Sequence, residues 1–316
     1  MKALKNLKGS LILTLAALIW GLAFVAQSDA ADKVPPFLVN GIRSLIGAAA
    51  LFLLLWWQCA RNGQPIFPKE RQRLRKTLIG GLACGLLITI SCNLQQVGLT
   101  LYPDGVASEA RAGFLTALYV ILVPIISVFM GKRLRLTLVG AILISMGGIY
   151  LLCLSGGIDA VYIGDVLIFL CAISFSWHIL AIDHFVDAVG GVRLSMLQFL
   201  VCGILSTLLS LCFEGASIEM QNLFSAAPQL LYLGLGSTGI AYTLQIVGQK
   251  YAEPTVASIT MSLESVFAAL GGWLISGNRL SLRELLGCAL VFVAIILAQL
   301  PEKKHTTPTS TASNQV

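Results

Sequence analysis

The chain has 316 residues, 57% of them apolar and only 11% charged, with a formal net charge of +6. Soluble domains carry roughly a quarter charged residues, so a soluble globular protein is excluded. The basic surplus does not point to a nucleic-acid partner, because it is confined to alternate connections between apolar stretches.

Those stretches come in blocks of about 20 residues, the length of helix that crosses a hydrocarbon core. In chain order they predict ten transmembrane helices at about 9–28, 36–57, 78–98, 105–130, 136–154, 162–182, 192–213, 229–250, 254–276 and 282–300. The first follows Lys2, Lys5 and Lys8 and is trailed by Ser28-Asp29-Ala30. Its length and its place in the repeat described below make it a membrane span rather than a cleaved signal peptide. The connections are short, with turn chemistry such as Tyr102-Pro103-Asp104-Gly105 and Ser155-Gly156-Gly157. Residues 302–316 contain almost nothing apolar to bury and read as a disordered tail.

With the N-terminus inside, the inner segments hold Lys2, Lys5, Lys8, Arg61, Lys69, Arg71, Arg73, Arg75, Lys76, Lys132, Arg133, Arg135, Arg193, Lys250, Lys303 and Lys304, against Lys33, Arg279 and Arg283 outside. This asymmetry predicts that both termini are cytoplasmic. The eight cysteines lie in or beside apolar blocks without metal-ligand spacing, so they read as packing residues, with no metal and no cofactor expected.

One phrase occurs twice. LQQVGLTLYPDGVAS at 94–108 and LQIVGQKYAEPTVAS at 244–258 agree at Leu94/Leu244, Gln95/Gln245, Val97/Val247, Gly98/Gly248, Val106/Val256, Ala107/Ala257 and Ser108/Ser258. Gly131-Lys132-Arg133-Leu134 is echoed by Gly277-Asn278-Arg279-Leu280, and Gly9-Ser10 by Gly164-Asp165. Each copy holds five helices, an odd number, so the second copy enters the bilayer from the opposite side. The expectation is an all-α integral membrane protein built from two inverted five-helix repeats, 1–155 and 156–301, an architecture suited to alternating access.

Leu15-Ala16-Ala17-Leu18-Ile19-Trp20-Gly21, together with Met261-Ser262-Leu263-Glu264-Ser265-Val266-Phe267-Ala268-Ala269-Leu270 and the following Gly277-Asn278-Arg279-Leu280, resembles the EamA type of the drug/metabolite transporter superfamily. The likeness extends to about Leu300. It implies a ten-helix inner-membrane carrier of small metabolites, often an exporter of amino acids or related compounds, commonly with Glu at the place of Glu264. The family usually has Pro after the Leu-Glu pair, where this chain has Ser265, which implies a ninth helix without the family's kink. It also usually has Gly-Glu where this chain has Gly277-Asn278.

Ionisable residues at membrane depth are expensive and are therefore candidates for function. Glu264, ten residues past Pro254, falls near the midplane as an amine partner, a proton-coupling site or a buried packing acid. Arg43 either meets a substrate carboxylate or, the slightly favoured reading, snorkels to head groups. Glu109 and Arg111 are two apart and do not share a helix face, so one is expected to pair with another helix. Thr238, Tyr242, Gln245 and Gln249 form one polar stripe on helix eight; Thr89, Asn93 and Gln96 form another on helix three, with Gln95 on the next face. Both stripes are expected to line a cavity, although hydrogen bonding between helices is an alternative. Trp20 and Trp177, in the first helix of each half, stack on a substrate or simply fill space, and His178 is a proton relay or a packed histidine.

The leading reading is a secondary transporter of a small polar metabolite. No GxxxxGK[ST] run is present, so a proton or other gradient would supply any energy. The alternative is an integral-membrane lipid-modifying enzyme, which wants clustered His, Asp or Cys; a channel would want a filter or ring motif. Oligomeric state is left open.

Overall fold

The computed structural model describes residues 2–31, 33–103, 108–134, 136–153, 161–215, 218–276 and 281–300, and among these there is no β-strand. The chain runs through α1 (Lys2–Ala31), α2 (Pro36–Arg61), α3 (Arg71–Thr100), α4 (Ser108–Thr116), α5 (Tyr119–Phe129), α6 (Leu136–Cys153), α7 (Ile163–Val189) and α8 (Gly191–Phe213). There follow α9 (Met220–Ser225), α10 (Ala227–Leu231), a π-helical segment (Tyr232–Ala241), α11 (Tyr242–Gln249), α12 (Pro254–Met261), α13 (Leu263–Ser276) and α14 (Leu282–Gln299). In hydrocarbon a helix satisfies its backbone internally, which is why apolar blocks of this length fold this way.

Six stretches among the described residues are long and apolar enough to cross a membrane: Pro36–Arg61, Arg71–Thr100, Ala112–Phe129, Ile163–Val189, Gly191–Phe213 and Ala227–Gln249. Leu7–Ala23 and Leu136–Leu151 are shorter apolar helices. The bundle's outer faces carry Leu11, Leu15, Phe52, Leu53, Leu82, Leu143, Leu211 and Ile296, an exterior that suits lipid rather than water.

Helix ends are tied where they would otherwise leave donors unmet. Pro36, at the start of α2, needs no acceptor, and the next two amides, Phe37 and Leu38, donate to the Glu214 carboxylate at 2.8 and 3.0 Å. At the far end of the same two helices Arg193 Nε donates to the Ile66 carbonyl at 2.6 Å. The α2 and α8 helices, which pack extensively, are thus fastened at both ends.

Two spans are interrupted. Between α4 and α5 the bonding tightens, with Leu118 N–H on Leu115 O at 3.2 Å and Val120 N–H on Ala117 O at 3.0 Å, and Pro124 withholds a further backbone donor. Between α12 and α13 the break falls at Ser262, where Ser265 N–H donates to Ser262 O at 3.2 Å. Helix nine is therefore interrupted although Ser265 replaces the proline that the sequence comparison expects there. Hydroxyl groups take that role: Ser258, Thr260 and Ser262 donate to the carbonyls of Thr255, Val256 and Ile259 at 2.9, 2.8 and 2.7 Å. Such back-bonding competes with the helical ladder and bends it.

The α3 helix packs on α7 and α8, α1 on α11, the π-helical segment and α13, α2 on the π-helical segment, α5 on α7 and α12, and α6 on α14. Two of these crossings depend on glycine pairs. A Cβ added to Gly164 would lie 2.7 Å from Gly98 O, and one added to Gly9 would lie 3.0 Å from Gly248 O. Gly98 and Gly248 are the shared glycines of the repeated phrase, and each meets the glycine that opens the other half.

Candidate functional site

Between these crossings lies a cavity lined by aromatic, amide and ionisable side chains. Its aromatic wall is Trp20 of α1, Tyr119 of α5, Phe175 of α7 and Tyr242 of α11. Tyr242 is held edge-on by Trp20, with centroids 4.6 Å apart, and by Phe199 at 5.0 Å. The Trp20 indole N–H donates to Ser237 O at 3.2 Å, inside the π-helical segment, so the irregular backbone itself positions a wall residue.

Two charged groups face one another's space. Arg43 of α2 is buried, donates through Nη1 to Gln27 Oε1 at 3.3 Å, and makes no salt bridge among the described residues. Glu264 of α13 is also buried and accepts the Tyr119 hydroxyl at 3.1 Å. Both line the cavity, as do Gln27, Gln95, Thr116 and Gln245. Gln95 Nε2 donates to Thr116 Oγ1 at 3.1 Å, while Gln245 Oε1 has no hydrogen-bond partner among the described residues. Chemically this is a partly apolar chamber that offers one cation, one carboxylate and several amides, the profile of a small-ligand site. Among the described residues no cluster of three or more His, Cys, Asp or Glu could hold a metal ion.

A family of membrane proteins has this composition, and its model matches the chain over residues 7–154 and again over 162–300: the EamA-like transporter family. The chain belongs to the EamA-like transporter family. It is therefore a transporter, not an enzyme, and a multi-pass membrane protein. It is similar to an uncharacterized transporter of Archaeoglobus fulgidus, 28% identical over 303 residues that cover 95% of this chain and 88% of that protein. The uncharacterized transporter YoaV of Bacillus subtilis is 23% identical over 291 residues, 89% of this chain and 92% of that one. A solved crystal structure, 23% identical, covers 92% of this chain and 96% of its own with a TM-score of 0.73, a likeness of fold.

Within this EamA fold the residues singled out from sequence separate into two groups. Trp20, Arg43, Gln95, Tyr242, Gln245 and Glu264 come together around the cavity. Arg43 does not snorkel to head groups: it turns inward, because Gln27 on α1 supplies an acceptor within reach. Trp177 lies on the exterior, 46% exposed, and the second half's counterpart of Trp20 at the cavity is Phe175. The register that pairs Gly9 with Gly164 pairs Trp20 with Phe175, a signal already present in the sequence.

The stripe on helix three packs instead of lining the cavity. Asn93 Nδ2 donates to Ser206 Oγ at 2.8 Å and its Oδ1 accepts from Asn40 Nδ2 at 3.0 Å; Thr89 donates to Gly85 O. Gln96 is fully buried away from the cavity wall. Of the stripe on helix eight only Tyr242 and Gln245 reach the chamber. Thr238 packs against Gly47, and Gln249 Nε2 donates to Ile179 O at 3.0 Å. The π-helical turn holds more residues than the 3.6 of an α-helix, so Thr238 falls out of phase with Tyr242. His178 is buried, shares a hydrogen bond with Gln198 Oε1 at 3.0 Å and stands behind Tyr242, outside the cavity. Glu109 and Arg111 fall in α4, but their side chains lie outside the described residues. Gln27, Thr116, Tyr119 and Ser237 also line the cavity, and none of them belongs to the polar stripes of helices three and eight.

Proposed function

We propose that the protein is a secondary transporter that exports a small polar metabolite, an amino acid or a related compound carrying both an amine and a carboxylate, across the inner membrane by alternating access. One observation carries this reading: Arg43 and Glu264 line the same cavity, neither neutralised by the other within 4.0 Å, beneath an aromatic wall. A zwitterion offers the complementary charge to each, and burying it costs least where both partners are already placed. Aromatic faces accept a side chain of varied size.

The architecture that supports alternating access is two inverted five-helix repeats, 1–155 and 156–301, with ten spans formed by α1, α2, α3, α4–α5, α6, α7, α8, α10–α11, α12–α13 and α14. Exchanging each span with its counterpart in the other half maps the packing onto itself: α3 on α7 becomes α11 on α1, α3 on α8 becomes the π-helical segment on α2, and α1 on α13 becomes α7 on α4–α5. The double match of the family to the chain supports the same division. Both termini are assigned to the cytoplasm from the basic connections. At that end Lys132 meets Asp183 at 2.9 Å and Lys250 approaches Asp187 at 3.8 Å, so two spans are held to the end of α7. Exposed pairs are worth about 0.2–1 kcal/mol each, weak enough to part when the carrier turns over. A proton or other ion gradient supplies the energy.

The test is a melting-temperature screen of the detergent-purified protein against L-α-amino acids, their decarboxylated amines, their deaminated acids, sugars and nucleosides. A ligand at 100 times its Kd adds about 2.7 kcal/mol of stability, so a saturable upward shift is expected from amino acids and not from compounds lacking either charge. A shift from sugars or nucleosides alone overturns the reading.

A further inference from the structure

We infer that Tyr119 is the place-holder of an ammonium subsite on Glu264: its hydroxyl occupies, in the empty carrier, the position that a ligand's ammonium takes in the loaded one. This rests on reading the cavity as an amino-acid site and adds how occupancy would be sensed there.

Glu264 Oε1 accepts the Tyr119 O–H at 3.1 Å, and no other protein group among the described residues donates to this carboxylate. A carboxylate has about four acceptor positions, so most of its capacity faces the chamber. A phenol offers one neutral donor. An ammonium offers three with a full charge, and charge-assisted hydrogen bonds are roughly twice as strong as neutral ones. A primary amine entering the cavity therefore takes the carboxylate from the tyrosine, whereas a neutral ligand does not.

The location of the two residues gives the exchange a consequence. Tyr119 is the first residue of α5, just past the interruption at Ala117-Leu118, and Glu264 is the second residue of α13, just past the interruption at Ser262. Their hydrogen bond links the two broken spans just past each interruption, where the backbone bonding turns irregular, and α5 packs directly on α12. Thr116, one turn before Tyr119 and on the other side of the break, stays tied to Gln95. Releasing Tyr119 thus removes the tie between α5 and α13 while α4 keeps its tie to α3, so ligand binding on one broken helix is reported to the other.

Tyr119→Phe tests this in the purified full-length protein, since it removes the hydroxyl and keeps the ring. Without ligand, modification of Glu264 by dicyclohexylcarbodiimide, followed by mass spectrometry, is expected to run about fivefold faster than in wild type, the fold-change of one hydrogen bond. The Kd of the tightest binder among the twenty L-α-amino acids should fall by about the same factor while turnover in proteoliposomes also falls. A ring that serves only packing would weaken both binding and turnover. Unchanged carbodiimide rates overturn the place-holder. Wild-type protein provides a second measurement should the variant fold poorly: the amino acid must protect Glu264 from the reagent, and absence of protection by a ligand that does bind overturns the subsite. If none of the twenty raises the wild-type melting temperature, the amino-acid reading fails by itself, while faster labelling of Tyr119→Phe still upholds the tyrosine's place on the carboxylate.

Discussion

The two copies of the repeated phrase sit in spans of different character. The first begins at the end of α3, an unbroken 30-residue helix; the second begins at the end of α11, the last piece of a span divided into α10, a π-helical segment and α11. Where the copies share a residue they share a role: Gln95 and Gln245 both line the cavity, and Gly98 and Gly248 both make close crossings with the opposite half. The same registers align contacts that differ in chemistry. Asn93 with Asn40 at 3.0 Å corresponds to Thr243 with Ser195 at 3.0 Å, and Cys92 lies 3.9 Å from its own counterpart, Tyr242. The charges break the pattern. Arg43 is matched by Gln198, which pairs with His178 away from the cavity, and Glu264 by Leu118. These packing contacts thus recur in both registers, while Arg43 and Glu264 have no charged counterpart.

Making the halves alike in charge is the most disruptive change. Arg43→Gln copies Gln198 into α2, and Glu264→Gln keeps shape while removing charge; each should cost about 2–5 kcal/mol in recognition of a zwitterion, roughly 30-fold or more in Kd, with the fold intact. Titration calorimetry on the amino acid found in the screen checks this, and wild-type affinity in both variants would make the pair structural. Next come the crossings. Gly98→Ala would place a Cβ 2.7 Å from Ile168 Cγ1, and Gly248→Ala one 2.7 Å from Leu13 Cγ. Each is expected to destabilise by about 1–3 kcal/mol, the range for overpacking a tight core. Equal losses in melting temperature support equivalence of the two crossings, and a loss in only one breaks it. Smallest is Trp177→Leu on the exterior, expected within about 0.5 kcal/mol of wild type and without effect on binding. Phe175→Ala at the cavity should lower affinity instead.

Much of the cavity could be read before any coordinates. Glu264 was legible because an acid in an apolar block near mid-membrane has few bland explanations, and Gln95 and Gln245 because they recur at equivalent positions. Tyr119 was not legible. A tyrosine in an apolar run carries no periodic signal, and only the break before it, together with the packing of α5 on α12, brings its hydroxyl to Glu264. Helix-three polarity misled because Asn93 bonds to Asn40 and Ser206 on neighbouring helices and Thr89 bonds back to Gly85 O on its own, uses that composition does not distinguish from lining a chamber.

By itself the sequence determined that the chain is a helical membrane protein and that one of its phrases is written twice. Those conclusions follow from block length, charge asymmetry and repetition, which are properties of the chain taken one segment at a time. Tertiary structure alone decided that Arg43 turns inward, that Asn93 packs between helices, and that Thr238 leaves the stripe it shares with Tyr242. Each depends on helix phase and on which neighbour supplies a partner. A helical wheel assumes a constant turn, and the π-helical segment and the two interruptions change that turn beside the cavity.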